Sequence, residues 1–222
     1  MISAVCLILL ARSVADAQVP EGQKAARINS VAVLKAAGPS LVVVRVTPKE
    51  KGAKAGKPMR GVVLDSSGLI GFPCRSATEG DTVVCELPDG TSLTAEALHS
   101  DRRTGIAVAR VRPKQPLTAI KLADTKAVEK LDTWTLSLSC IGDEAFEEYA
   151  LVSAVREGSE KGPPSFEVDT ATSFPLRRDL LLSRDGELLG IGGVVEFVPS
   201  SELPELLKAA PKKAKDDRSE KK

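Results

Sequence analysis

The side chains able to do chemistry are few, and their spacing does not favour it. His99 is the only histidine in 222 residues, and so the only imidazole available as a general base. It lies two residues before Asp101 and far in sequence from Cys74 and Ser173, and it reads as a solvated histidine in a turn between strands. The four cysteines, Cys6, Cys74, Cys85 and Cys140, form no Cys-x-x-Cys pair and have no histidine at ligand spacing, which speaks against a zinc site. Cys74 directly precedes Arg75, a cationic neighbour of the kind that activates a thiol; a partly buried thiol or one arm of a disulfide is the simpler reading. Asp143, Glu144, Glu147 and Glu148 read as a solvated acidic loop, and Lys49, Lys51, Lys54 and Lys57 as a solvated basic one. No metal and no cofactor is expected.

The elements that must position these residues are strands. Ser40-Leu-Val-Val-Val-Arg-Val-Thr47, Gly61 to Ile70 around a Gly-containing turn, Thr82 to Leu87, Ser92 to Leu98 and Gly105 to Val111 are apolar or β-branched runs spaced about ten residues apart. After Pro113 and Pro116 the pattern restarts with 119–122, 133–140, 149–155, 166–170, 180–182 and 188–195, the last two flanking an Asp185-Gly186 turn. Two sets of about six strands imply two barrels. One short helix leads in and is stopped by Gly38-Pro39; Phe197-Val-Pro-Ser-Ser201 leads into a second, 202–210, capped by Ser201 and ended by Pro211. Residues 211–222 read as a disordered charged tail.

The two ends and the composition narrow the setting. Residues 2–11 are almost wholly apolar and Ala15-Asp-Ala17 places small residues where a signal peptidase inspects them, so 1–17 reads as a cleaved secretory signal. That apolar run is too short to cross a bilayer, and no membrane span is expected after its removal. Cys6 leaves with it, and the three remaining thiols allow at most one disulfide, too few for a disulfide-built scaffold. A net charge of +1 gives no global attraction to nucleic acid.

Residues 30–205 resemble the protease domain of the HtrA (Deg) serine proteases, a branch of the trypsin-like fold. The strings that carry the resemblance are Gly68-Leu-Ile-Gly-Phe-Pro-Cys-Arg75, Asp89-Gly90, Asp101-Arg-Arg-Thr-Gly-Ile-Ala-Val108, Val168-Asp-Thr-Ala-Thr-Ser-Phe-Pro-Leu-Arg-Arg-Asp-Leu-Leu-Leu182 and Asp185-Gly186, in the family's order and spacing. The same register puts Arg75 where the family has its catalytic histidine, Gly105 where it has its aspartate and Arg177 where it has its serine. A guanidinium stays protonated and cannot act as the base, and Arg177 offers no nucleophile. Pro175 occupies an oxyanion-hole position and has no N–H to donate. The resemblance also implies that Arg75 and Arg177 approach each other with Arg178 alongside, a candidate anion-binding cleft in which a bidentate guanidinium would take a carboxylate or phosphate.

The expectation is therefore an all-β, trypsin-like double six-stranded β-barrel with a short N-terminal and a short C-terminal helix. It divides into a signal peptide (1–17), an N-terminal segment and helix (18–38), a first barrel (39–112), a second barrel (113–200), a C-terminal helix (201–210) and the tail (211–222). The expected function is that of a secreted or periplasmic pseudoprotease, not an enzyme, which binds an unidentified protein or peptide. An active HtrA-like endopeptidase with a non-standard site is the alternative, and a redox or metal-binding role for the cysteines is a third reading. The PDZ domain that often follows this family's protease domain is not recognisable, so the resemblance gives no guide to the oligomeric state.

Overall fold

The computed structural model describes residues 28–74, 77–78, 80–95, 97–124, 133–142, 144–159, 162–170, 179–192, 196–204 and 208. Helix α1 (Ser30–Ala37) starts where the Asn29 side chain accepts the Ala32 N–H at 3.2 Å, satisfying a donor that the first helical turn leaves unpaired. It buries Val33 and Ala37. Gly38 does not reverse the chain as a left-handed cap: it stays right-handed at φ −46° and opens a 3-10 turn, Gly38–Ser40, with Pro39 inside it. The signal segment (1–17) and residues 18–27 lie outside the described residues, as does the tail.

Seven strands follow: β1 (Leu41–Thr47), β2 (Met59–Asp65), β3 (Leu69–Pro73), β4 (Thr82–Glu86), β5 (Ser92–Thr94), β6 (Ala97–Asp101) and β7 (Ile106–Arg110). They form one antiparallel sheet in the order β5-β4-β1-β2-β3-β7-β6. The expected strand over 92–98 is thus two strands that lie at opposite edges of the sheet. Only residues 95 and 96 join them. Consecutive Cα atoms are about 3.8 Å apart, so the end of one edge strand is within roughly 11 Å of the start of the other, and the sheet has to curl to bring those two ends together. No ladder pairs β5 with β6 among the described residues, so this half is a curled sheet of seven strands, where a six-stranded barrel was expected.

The second half is a closed six-stranded barrel: β8 (Trp134–Ile141), β9 (Glu144–Arg156), β10 (Ser165–Thr170), β11 (Leu180–Leu182), β12 (Leu188–Gly192) and β13 (Glu196–Pro199), ordered β10-β13-β12-β11-β8-β9. Three expectations are corrected here. Residues 119–122 make no strand; they form a strap in which Leu122 bridges Leu188 and the Leu188 N–H donates to Lys121 O at 2.8 Å. Most of the acidic stretch is not a loop, because Glu144, Glu147 and Glu148 belong to β9, paired with Ile141, Leu138 and Ser137, and Gly142 at φ 61° makes the turn. Residues 197–199, expected to lead into a helix, belong to β13, which closes the barrel between β10 and β12. A 3-10 turn, Ser200–Glu202, then opens into helical residues Leu203 and Pro204, and Leu203 is fully buried. Residues 205–207, 209 and 210 of the expected helix lie outside the described residues.

Strand alternation sends each apolar run into two cores. Val42, Val44, Ile70, Phe72, Val83 and Ala107 point into the curl of the first sheet, while Val152, Phe166, Leu181, Leu189 and Phe197 fill the barrel. A third core lies between the halves, where Val62, Leu69, Ile106 and Val108 meet Leu136, Leu138, Leu180, Leu182 and Ile191 under Val33 of the helix. This is why β3 and β12 are buried at every residue and read as unbroken apolar runs. Gly71 permits the approach, since a Cβ there would lie 2.8 Å from Leu64 Cδ1 and 3.3 Å from Ile191 Cδ1.

Candidate functional site

A cleft of about 990 Å3 opens where the two halves meet. Met59, Pro73, Cys74 and Gly105 form its wall on the sheet side, Gly192 and Val198 on the barrel side, and the loop of residues 48–58 stands over it.

The β6–β7 turn fixes Gly105. Asp101 organises that turn: its carboxylate accepts the Arg103 N–H at 2.8 Å and the Thr104 hydroxyl at 3.1 Å, and its carbonyl accepts the Gly105 N–H at 2.8 Å. Thr104 Oγ1 in turn accepts the Ile106 N–H at 3.3 Å, which starts β7. Gly105 itself sits at φ 73°, a left-handed conformation open to glycine at little cost. Its carbonyl accepts the Cys74 N–H at 2.9 Å, and the Cys74 carbonyl accepts the Ser100 hydroxyl at 3.1 Å. Gly105 is therefore held directly against the residue that precedes Arg75. Arg75, Pro175, Arg177 and Arg178 lie outside the described residues, as does Ser173.

The residue that follows Arg178 is buried. Asp179 is 1% exposed, and its Oδ2 accepts the Arg60 N–H at 2.7 Å, so a carboxylate just before β11 is docked on the start of strand β2 in the other half. Its own N–H donates to Leu138 O at 2.9 Å and its carbonyl accepts the Gly192 N–H at 3.2 Å, which ties this corner to both flanking strands of the barrel. The sequence offered one signal for it, an ionisable residue placed directly before Leu180-Leu-Leu182, three residues that are all fully buried. A second tie is electrostatic: Arg103 on the β6–β7 turn reaches Glu202 at 3.4 Å.

The remaining sequence candidates disperse. His99 is a half-buried residue of β6 opposite Val108, placed in a strand where a turn was expected. No disulfide joins any two of Cys74, Cys85 and Cys140, so the bridge left open by the sequence is not formed. Cys74 is buried in the cleft wall; Cys85 is fully buried in the core of the curled sheet, and burial pushes its thiol up to about 12. Among the described residues no three His, Cys, Asp or Glu side chains are placed to hold a metal ion. No helix among them is long and apolar enough to cross a membrane.

On the rim, Asp81 accepts the Thr78 N–H at 2.8 Å and the Lys49 N–H at 3.1 Å. Those bonds, with the Lys49 charge, hold its carboxyl below the usual carboxylate range, and they fasten one end of the 48–58 loop to the segment after β3. Gly56 N–H donates to Val46 O at 2.8 Å and fastens the other end. Compared with known proteins, the chain matches no family model, and no curated protein matches it significantly.

Proposed function

We propose that the chain is a secreted or periplasmic pseudoprotease of the trypsin-like, HtrA type, a pair of barrels that binds a protein or peptide in the cleft between them without cleaving it. The curled sheet supports the first barrel: its edge strands are consecutive in the chain and two residues apart, which is the connectivity a barrel cut open along one seam would have. The cleft supports the site, since binding clefts form where two halves of a chain pack.

The observation that carries the reading is Gly105. In the resemblance it stands where the family has the carboxylate that orients its catalytic histidine, and here that place is a left-handed glycine whose carbonyl is hydrogen-bonded to Cys74, the residue before Arg75. With no carboxylate at 105, no imidazole at 75, no hydroxyl at 177 and no N–H at 175, acyl transfer of the serine-protease kind has neither a nucleophile, a base nor a full oxyanion hole. In the resemblance, Arg75, Arg177 and Arg178 are the candidates for holding a carboxylate or phosphate.

The test is to incubate the purified full chain with casein and, separately, with a fluorophosphonate probe. No cleavage and no covalent labelling is the expected result. Labelling of any serine, or sequence-specific cleavage that follows the protein through purification, would establish the active endopeptidase instead.

A further inference from the structure

The charge of this molecule is unevenly placed. The whole chain carries +1, yet residues 48–58 hold four lysines and one glutamate. This loop is fastened at both ends, by Lys49 N–H on Asp81 and Gly56 N–H on Val46, and closed within by Ala53 N–H on Glu50 O at 3.0 Å. It holds Lys54 and Lys57 on the lining of the cleft and leaves Lys51 exposed and off that lining.

The other charges at the rim are largely matched. Lys49 faces Asp81, and Arg103 faces Glu202. Glu196, opposite Glu167 across β10 and β13, lies close enough to Arg156 to favour its charged form, and Arg156 is already paired with Glu167. Glu50 also lines the cleft, flanked in the chain by Lys49 and Lys51, so the loop presents three lysines and one glutamate to it. Between and below these charges the wall is apolar, with Val46, Met59 and Val198 each less than a tenth exposed. A groove with an apolar wall and a positive loop fixed over one side is complementary to an extended chain that alternates apolar and anionic side chains.

We propose that the cleft takes an extended acidic peptide segment, whose carboxylates pair with Lys54 and Lys57 while its apolar side chains lie on Val46, Met59 and Val198. This rests on the reading of the cleft as a non-catalytic binding site. The contribution is electrostatic and solvent-exposed, so it weakens with added salt.

The experiment is a fluorescence-anisotropy titration of the full chain with labelled decapeptides of alternating Glu-Val, Ser-Val and Lys-Val, at low and at physiological salt. The Glu-Val peptide is expected to bind at least about tenfold more tightly than Ser-Val at low salt, with the margin narrowing as salt rises, and Lys-Val to bind more weakly than either. Reversing both lysines, Lys54→Glu with Lys57→Glu, should lower Glu-Val affinity by about tenfold or more, whereas Lys51→Glu should leave it within about twofold. Far-UV circular dichroism of each variant checks that the fold is kept. Equal affinity for Glu-Val and Ser-Val, or a loss in Lys51→Glu as large as in the double variant, overturns the proposal. Mass spectrometry of the recovered peptides separates the two readings: a cleaved peptide refutes the pseudoprotease, while an intact peptide that shows no charge preference refutes only the acidic ligand.

Discussion

Asp179 shows how one side chain joins the two halves. A carboxylate 1% exposed is costly unless it is satisfied, and the Arg60 N–H reaches it at 2.7 Å from 119 residues away in sequence. Replacing Asp179 with Ala strands that N–H at the interface and should lower stability by roughly 2–3 kcal/mol, read as a shift in the urea midpoint with the slope unchanged. Asp179→Asn keeps an acceptor oxygen and should lose less. Such a contact is invisible in sequence because the partner is a main-chain N–H, which every residue but proline carries. The same limit holds for the cleft: that position 75 is an arginine and position 105 a glycine is legible from residue types, whereas the holding of Cys74 against Gly105 had to come from the pairing of β3 with β7.

Elements were legible wherever their own residues decide them. The β11–β12 hairpin follows from two apolar runs around Asp185-Gly186, and its glycine is required twice over, by φ 78° and by the helix above it, since a Cβ there would lie 2.9 Å from Ala36 Cβ and 3.0 Å from Val33 O. Gly90, at φ 81° with nothing within 4 Å, is required only once. Gly186→Ala should therefore cost roughly 2–4 kcal/mol and Gly90→Ala only about 1 kcal/mol in thermal or urea unfolding, the difference reporting the seat of α1. The β2–β3 turn shows the electrostatic counterpart. Burial raises the Asp65 pKa, but bonds from Ser67, the Leu69 N–H and Arg110 outweigh that and hold it below the usual carboxylate value of 3.8. Its stabilising effect is thus full above that value and lost as pH falls through the lower folded-state pKa. Asp65→Asn should be less stable than wild type at neutral pH, with the gap closing on acidification; a gap independent of pH would contradict this. Where an element depends on its neighbours, the sequence misled. β13 ends at Pro199 and looks like a helix lead, but β10 and β12 need it to close the barrel, and β9 extends to Glu144 only because β8 lies beside it.

At the scale of the molecule, the core shared by Val62, Ile106 and Val108 with Leu136, Leu180 and Ile191 makes the halves interdependent. Buried apolar surface of this kind couples unfolding. Trp134, the only tryptophan, sits in the barrel, so its fluorescence should follow that half while far-UV circular dichroism follows both; the two urea transitions should coincide, and separate midpoints would mean that the halves unfold independently. The all-β class and the division into two strand sets were readable in the ten-residue cadence of apolar runs and turns, but the order of strands was not, since it is set by long-range pairing. That order has one more effect. Unpaired strand edges are templates on which other chains can add, and proteins have to blunt them. Here the barrel has no edge, and the two edges of the curled sheet are three and five residues long and drawn toward each other by a link of only two residues. The short connection at 95–96 therefore acts as protection against aggregation, keeping a β-rich chain from offering its sheet to its neighbours.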